Sequence, residues 1–338
     1  MKLILQVFVL IQSAFLMEFA LADHPLAAPG VTSLTNASVR FQPANDSFVA
    51  IERGPVRAIV VDNSAVDSPV LPGHRKGYSG LASLRHTRRA ANLFVPSVAG
   101  LNFEHIHDGT NAGLKESFEP RVFPMQIRVI DQHTVELYQP PTGNWQLESC
   151  GRYQILEDGT IEYTFECIPR AGGYRHGFIG LFWASYIHQP EQGSIFFKGH
   201  EDHGTAANWI EARSAGHGVN STHAPAASRQ LPSVDSDFKL TLVNHPSKFV
   251  VNEPWYFGIS HGMAYVQMFR EKDHLWIAQS PTGGGQGNPA WDFQWFIPNY
   301  KVGEAYGFVM RAAYLPFESR EQIERETQPH RVALNPKR

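Results

Sequence analysis

Apolar and polar residues alternate with a period of two along most of this chain. The pattern is clear in SVRFQ (38–42), FVAIER (48–53), VRAIVV (56–61), MQIRVI (125–130) and TVELYQ (134–139). It recurs in FKLTLV (238–243), YVQMF (265–269), LWIAQ (275–279) and YGFVMRAAY (306–314). Successive side chains of a strand point to opposite faces, so this alternation predicts half-buried strands. Turn residues separate the runs, among them Gly54-Pro55 and the stretches 157–160 and 271–273. Many short strands with turns between them predict an all-β fold, a large antiparallel β-sandwich occupying 23–338 as one domain. One helix is expected, at the C-terminus: Ser319 and Gln322 form a capping box, and Pro329 closes the candidate segment 320–328.

The first 22 residues break the pattern. Lys2 gives a positive start, 3–16 an apolar stretch, and Ala20-Leu21-Ala22 a cleavage site before Asp23, the signature of a secretory leader. Gln6, Gln12 and Ser13 interrupt the apolar run, which makes it a poor permanent anchor. The expectation is an exported protein, periplasmic or extracellular, with no stable membrane insertion. Net charge is −3 and no basic block is present, which argues against a nucleic-acid partner. The stretch 199–236, rich in Gly, Ala, Ser and His, reads as a long loop of the kind that usually carries function or is disordered.

The two cysteines flank CGRYQILEDGTIEYTFEC. If Asp158-Gly159 is a two-residue hairpin turn, Cys150 faces Cys167 across the strands at a close-approach position. A cross-strand disulfide would suit an exported protein; the alternative is a pair of reduced, buried thiols.

Candidate chemistry gathers late in the chain. Between 254 and 296 stand Trp255, Trp276, Trp291 and Trp295, with His261 in PWYFGISHGMAYVQMF and Asp292 in NPAWDFQWFIP. Trp183, Trp255, Trp291 and Trp295 are expected to wall an open groove that stacks sugar rings. Asp292 would be its general base and His261 its acid or substrate anchor, against the alternative of a structural His–Asp hydrogen bond. Several of the 16 histidines fall in two further clusters. In FEHIHDGTN, His105 and His107 fall on one face of a strand, as proton donors or as metal ligands. In GHEDHGTAANW, His200 and His203 offer a second ligand pair without the HExxH spacing of zinc peptidases. Arg75, Arg88 and Arg89 are candidates to hold a uronic carboxylate. The glycine-dense SPTGGGQGNP (280–289) lacks the Lys-Ser/Thr of a phosphate loop and reads as a mobile loop over the site.

The segment YKVGEAYGFVMRAAYLPF resembles the closing strand of galactose-mutarotase-like proteins, with Val302-Gly303-Glu304 at the family's turn but without its proline. The resemblance implies a β super-sandwich, a carboxylate upstream at Asp292 where the epimerases carry glutamate, and histidines from earlier strands such as His105, His107, His176 or His188. The motif NHTYF is absent.

These readings give an exported carbohydrate-active protein as the leading expectation, using epimerase- or lyase-type proton transfer by His and Asp on a saccharide or polysaccharide. Two alternatives stay open: a metal-dependent hydrolase or oxygenase holding a divalent ion, and a glycan-binding protein without catalysis.

Overall fold

The computed structural model describes residues 24–111, 116–202, 204, 206–230, 232–238, 240 and 245–336. The expected leader, His203 and most of the 238–243 run lie outside these residues. The first strands are β1 Gln42–Pro43, β2 Phe48–Arg53, β3 Val56–Val61, β4 Gly80–His86, β5 Asn102–His107 and β6 Gln126–Asp131. They continue as β7 Thr134–Gln139, β8 Leu147–Ile155, β9 Ile161–Pro169, β10 Phe178–Ala184, β11 Ile195–Glu201 and β12 Asn208–Ala212. The last are β13 Thr222–Pro225, β14 Pro246–Ser260, β15 Met263–Phe269, β16 Trp276–Ser280, β17 Ala290–Pro298 and β18 Tyr306–Pro316. Two α-helices accompany them, α1 Glu119–Val122 and α2 Arg320–Leu334.

Among the described residues β2, β3 and β4 make a small antiparallel sheet, and the other fifteen strands make one large sheet. Its order is β1-β6-β7-β8-β9-β18-β15-β14-β13-β16-β17-β10-β5, with β11 and β12 attached beside β14. Every pairing in it is antiparallel except β13 with β14. The sheet folds over itself. Trp183 of β10 stacks on Phe103 of β5 and Phe293 of β17, and meets Phe165 of β9 and Phe308 of β18 edge-on, at centroid distances of 4.8 to 5.2 Å. The two halves therefore sandwich one aromatic core, as the alternation predicted.

Three expectations need correction. In the run 38–42 only Gln42 enters a strand, because the Asn36 side chain accepts from the Ser38 amide (3.0 Å) and hydroxyl and sets a turn instead. The helix does not stop at Pro329. Ser319 caps the Gln322 amide at 3.1 Å as expected, but α2 runs through the proline to Leu334, whose burial with Ile323 against the Trp255 cluster holds the last turns.

The third correction concerns the cysteines. The loop between β8 and β9 has three residues rather than two: Leu156 and Thr160 pair, and Gly159 takes the left-handed conformation (φ 90°). The register becomes Ile155↔Ile161 and Cys150↔Glu166, with Cys167 opposite Ser149. One residue of slip turns a side chain to the other face. Cys150 and Cys167 are free, buried thiols and form no disulfide. Burial, aided by Glu136 beside Cys150 and by Glu166 beside Cys167, pushes both thiols far above their ordinary pKa.

Candidate active site

The site lies on the face of β5, β10, β16 and β17 that turns away from the core. In β17 the rings of Trp291, Phe293 and Trp295 enter the core, so the alternating Asp292 points to the opposite side. In β10 Trp183 faces the core, while Phe182 and Ala184 face the site. The edge strand β5 adds a bulge: Phe182 pairs with His105 and Trp183 with Phe103, leaving Glu104 as the extra residue. Phe103 and Ile106 still reach the core, and the bulge lets both Glu104 and His105 look into the same space. That space is a cavity of about 460 Å³, whose polar lining includes Glu104, His105, Arg121, Tyr186, His217 and Asp292.

One half of the lining is tightly paired. Glu104 Oε1 accepts from Arg121 Nη2 (2.5 Å) and Tyr186 Oη (2.8 Å). The Arg121 guanidinium lies between the faces of Tyr78 and Phe118, 4.2 and 4.3 Å from their centroids. Burial opposes the Arg121 charge, but Glu104 and Tyr186 outweigh it and raise its pKa. Burial and the neighbouring Glu104 push Tyr186 well above its ordinary range, so it stays a hydroxyl donor.

The other half is poorly paired. Asp292 is 1% exposed; its Oδ1 accepts from the Ser185 amide at 3.0 Å, and its Oδ2 has no partner among the described residues. Burial drives its pKa well above the carboxylate range, the Ser185 amide pulls it part-way back, and the charge of Glu104 adds to the rise. Asp292 is therefore held toward its protonated form. His105 is the complement. Its Nδ1 lies 2.7 Å from the Ser117 carbonyl, which can only accept, so Nδ1 carries the proton. Burial lowers its pKa, against Glu104 and the Ser117 carbonyl, which raise it. A neutral ring protonated at Nδ1 leaves the Nε2 lone pair as an acceptor, 3.9 Å from Glu104 Oε1. His217 sits on the same wall with Nδ1 3.1 Å from Ser280 Oγ.

Of the residues expected from sequence, Asp292 and His105 meet in this cavity. His107 lies on the same face but is sealed, its ring among Phe178, Phe238 and Phe296 with neither nitrogen bonded among the described residues. Burial, with His105 adding, lowers its pKa to about 3. His261 is not at the site. With Gly262 it forms the two-residue turn between β14 and β15, both at positive φ (53° and 74°), and its Nδ1 faces Glu191 Oε1 at 3.4 Å. Trp183, Trp255, Trp291 and Trp295 are all fully buried and wall no groove. Large indoles on the inward positions of sandwich strands fill the core first. Arg88 and Arg89 belong to the turn after β4, away from the cavity; Arg75 is exposed, bonding the Tyr78 hydroxyl at 3.3 Å.

Of the expected metal ligands, His203 lies outside the described residues. Among the described residues no three His, Cys, Asp or Glu side chains come together as an ion's ligands. His105 spends Nδ1 on Ser117, His107 is caged by phenyl rings, and His200 is half-buried near the end of β11 with Nδ1 2.7 Å from Asn252 Oδ1.

Glu104, Arg121, Tyr186 and His217 went unassigned in the sequence. Glu104 stood inside FEHIHD, but strict alternation places it opposite His105, and only the bulge brings the two together. Nothing in SFEPRVF marks Arg121, which arrives on the short α1.

No protein-family model and no curated protein matches the chain. Solved structures with a similar arrangement of strands do exist. One is the galactose 1-epimerase of Lactobacillus acidophilus, 11% identical, covering 82% of this chain and 99% of its own at a TM-score of 0.46. Another is the α-N-acetylgalactosaminidase of Bifidobacterium bifidum, 11% identical over 84% of this chain and 39% of its own, TM-score 0.48. A third is the heparan sulfate lyase of Pedobacter heparinus, 8% identical over 82% and 37%, TM-score 0.40.

Proposed function

We propose that the protein is a carbohydrate-active enzyme of the epimerase or lyase type, with Asp292 as general acid and His105 as general base. The observation that carries this reading is the pair of groups facing one cavity: a buried carboxyl biased toward its protonated form and a neutral imidazole whose Nε2, 3.9 Å from Glu104 Oε1, keeps its lone pair. Two titratable groups with environments of opposite sense are what concerted proton transfer needs. The assignment reverses the base role first expected of Asp292, because burial favours the acid form.

In an epimerase-type step, His105 Nε2 takes the proton of the anomeric hydroxyl while Asp292 delivers its own to the ring oxygen. The bond from the anomeric carbon to that oxygen breaks, and closure on the other face of the aldehyde returns both protons. In a lyase-type step the same base removes the proton beside a uronic carboxylate, and the same acid protonates the departing glycosidic oxygen. Arg121 and Tyr186 hold Glu104 fixed, and Glu104 orients hydroxyls through its remaining lone pairs. Aromatic Tyr78, Phe118 and Phe182 supply flat apolar surface for sugar C–H faces.

The test is a panel of aldoses followed by polarimetry, and of uronic polysaccharides followed by formation of unsaturated ends. Asp292→Asn and His105→Gln should each lower the responsive rate by about 10²–10⁴-fold. Full turnover in Asp292→Asn rejects the assignment. Export belongs to the same proposal, supported by the leader-like residues 1–22; an N-terminus beginning at Asp23 in secreted material would bear it out.

A further inference from the structure

A second cavity, of about 660 Å³, adjoins the first and shares Tyr78, Phe118 and Arg121 with it. These three side chains are their common wall, with the deep end on one side and the more open end on the other. We propose that the open end is a second sugar subsite, so that the protein works on a glycan chain rather than on a free monosaccharide. The proposal rests on the carbohydrate reading above and adds the form of the substrate.

Three features of the open end fit a sugar ring. Phe118 lines both cavities, its ring held 4.3 Å from the Arg121 guanidinium and 4.6 Å from the His105 ring. An aromatic ring already held in place gives a sugar's C–H face a surface at little entropic cost. Second, Phe118 and Val122 stay exposed at 36% and 57% although both are large and apolar, and both line this cavity. Third, Lys76 lines it too and makes no hydrogen bond or ion pair among the described residues, while Glu116 stands in the same lining. A pyranose presents hydroxyls at its edge and C–H groups on its faces, and this lining offers charged polar groups beside apolar carbon. Glu104, His105, Tyr186 and Asp292 of the deep end are buried, whereas Lys76, Phe118 and Val122 of the open end face solvent, as a passage for the rest of a chain must.

The experiment uses the full-length Asp292→Asn protein, which should bind without turnover. An array of mono- to hexasaccharides built from neutral and uronic sugars identifies a binder. Calorimetry then compares that chain with its own monosaccharide, before and after adding Val122→Trp. Val122 touches only the open end and is exposed, so an indole there fills the second subsite without disturbing the first. The chain should bind about tenfold tighter than the monosaccharide, the worth of one aromatic contact with a hydrogen bond. In the Val122→Trp form that advantage should vanish while monosaccharide affinity stays, which also shows that the variant is folded. Equal affinity for chain and monosaccharide, or a chain advantage that survives Val122→Trp, overturns the second subsite and leaves the carbohydrate reading intact. Failure of every sugar of every length to bind overturns the carbohydrate reading itself.

Discussion

Replacing Asp292 by Asn should change how the stability of the fold depends on pH. Asn has the same shape, its carbonyl can keep the bond from the Ser185 amide at 3.0 Å, and the partnerless Oδ2 becomes an NH₂ that carries no charge. In the native protein burial raises the Asp292 pKa well above its unfolded value. Below an unfolded pKa of about 3.9 the carboxyl is protonated in both states and contributes no pH dependence. Above it the unfolded chain releases the proton while the folded chain keeps it, so the wild-type fold loses stability as pH rises. The slope is about 1.4 kcal/mol per pH unit, and it ends where native Asp292 itself titrates. Urea unfolding of wild type and Asp292→Asn at steps between about pH 4 and about pH 8 reads the difference directly. The variant should gain on the wild type with each step, and the pH at which the gain levels off is the native pKa. Parallel curves over the whole range would refute the claim that Asp292 is held as an acid.

The remaining predictions concern the frame around the site. Thiol titration of unfolded protein should find two free cysteines, and reductant should leave stability unchanged; a Cys150–Cys167 bridge would overturn the register of β8 with β9. Gly258→Ala should cost about 1–3 kcal/mol in a melting experiment, since its new methyl would lie 2.3 Å from the Trp291 ring; no cost would mean that Trp291 is free to swing out. Glu166→Ala should cost more than about 2 kcal/mol and expose the 24–36 segment to proteolysis, because buried Glu166 accepts from the amides of Val31 and Thr32 and the hydroxyls of Thr32 and Thr35.

Much of the fold could be read from the period of two. The runs 48–53, 56–61 and 134–139 are strands to the residue, and 306–314 extends by only two. Register was less legible: Asp158-Gly159 is a turn signal for loops of two or three residues, and the extra residue separated the cysteines. The tryptophan error is different in kind, since the needed fact was present. In WDFQWF the indoles and the carboxyl alternate, so one strand cannot turn Trp291, Trp295 and Asp292 to the same side. The Glu104 bulge and the approach of Arg121 depend on contacts between distant segments, which no local pattern encodes.

The most direct test of the central claim is a crystal structure of Asp292→Asn bound to a saccharide identified by the array. A sugar ring should lie in the deep cavity, with one oxygen within about 3.2 Å of the residue 292 side chain and another hydroxyl within that distance of His105 Nε2. A sugar bound elsewhere on the surface, with the deep cavity left to water, would contradict the account.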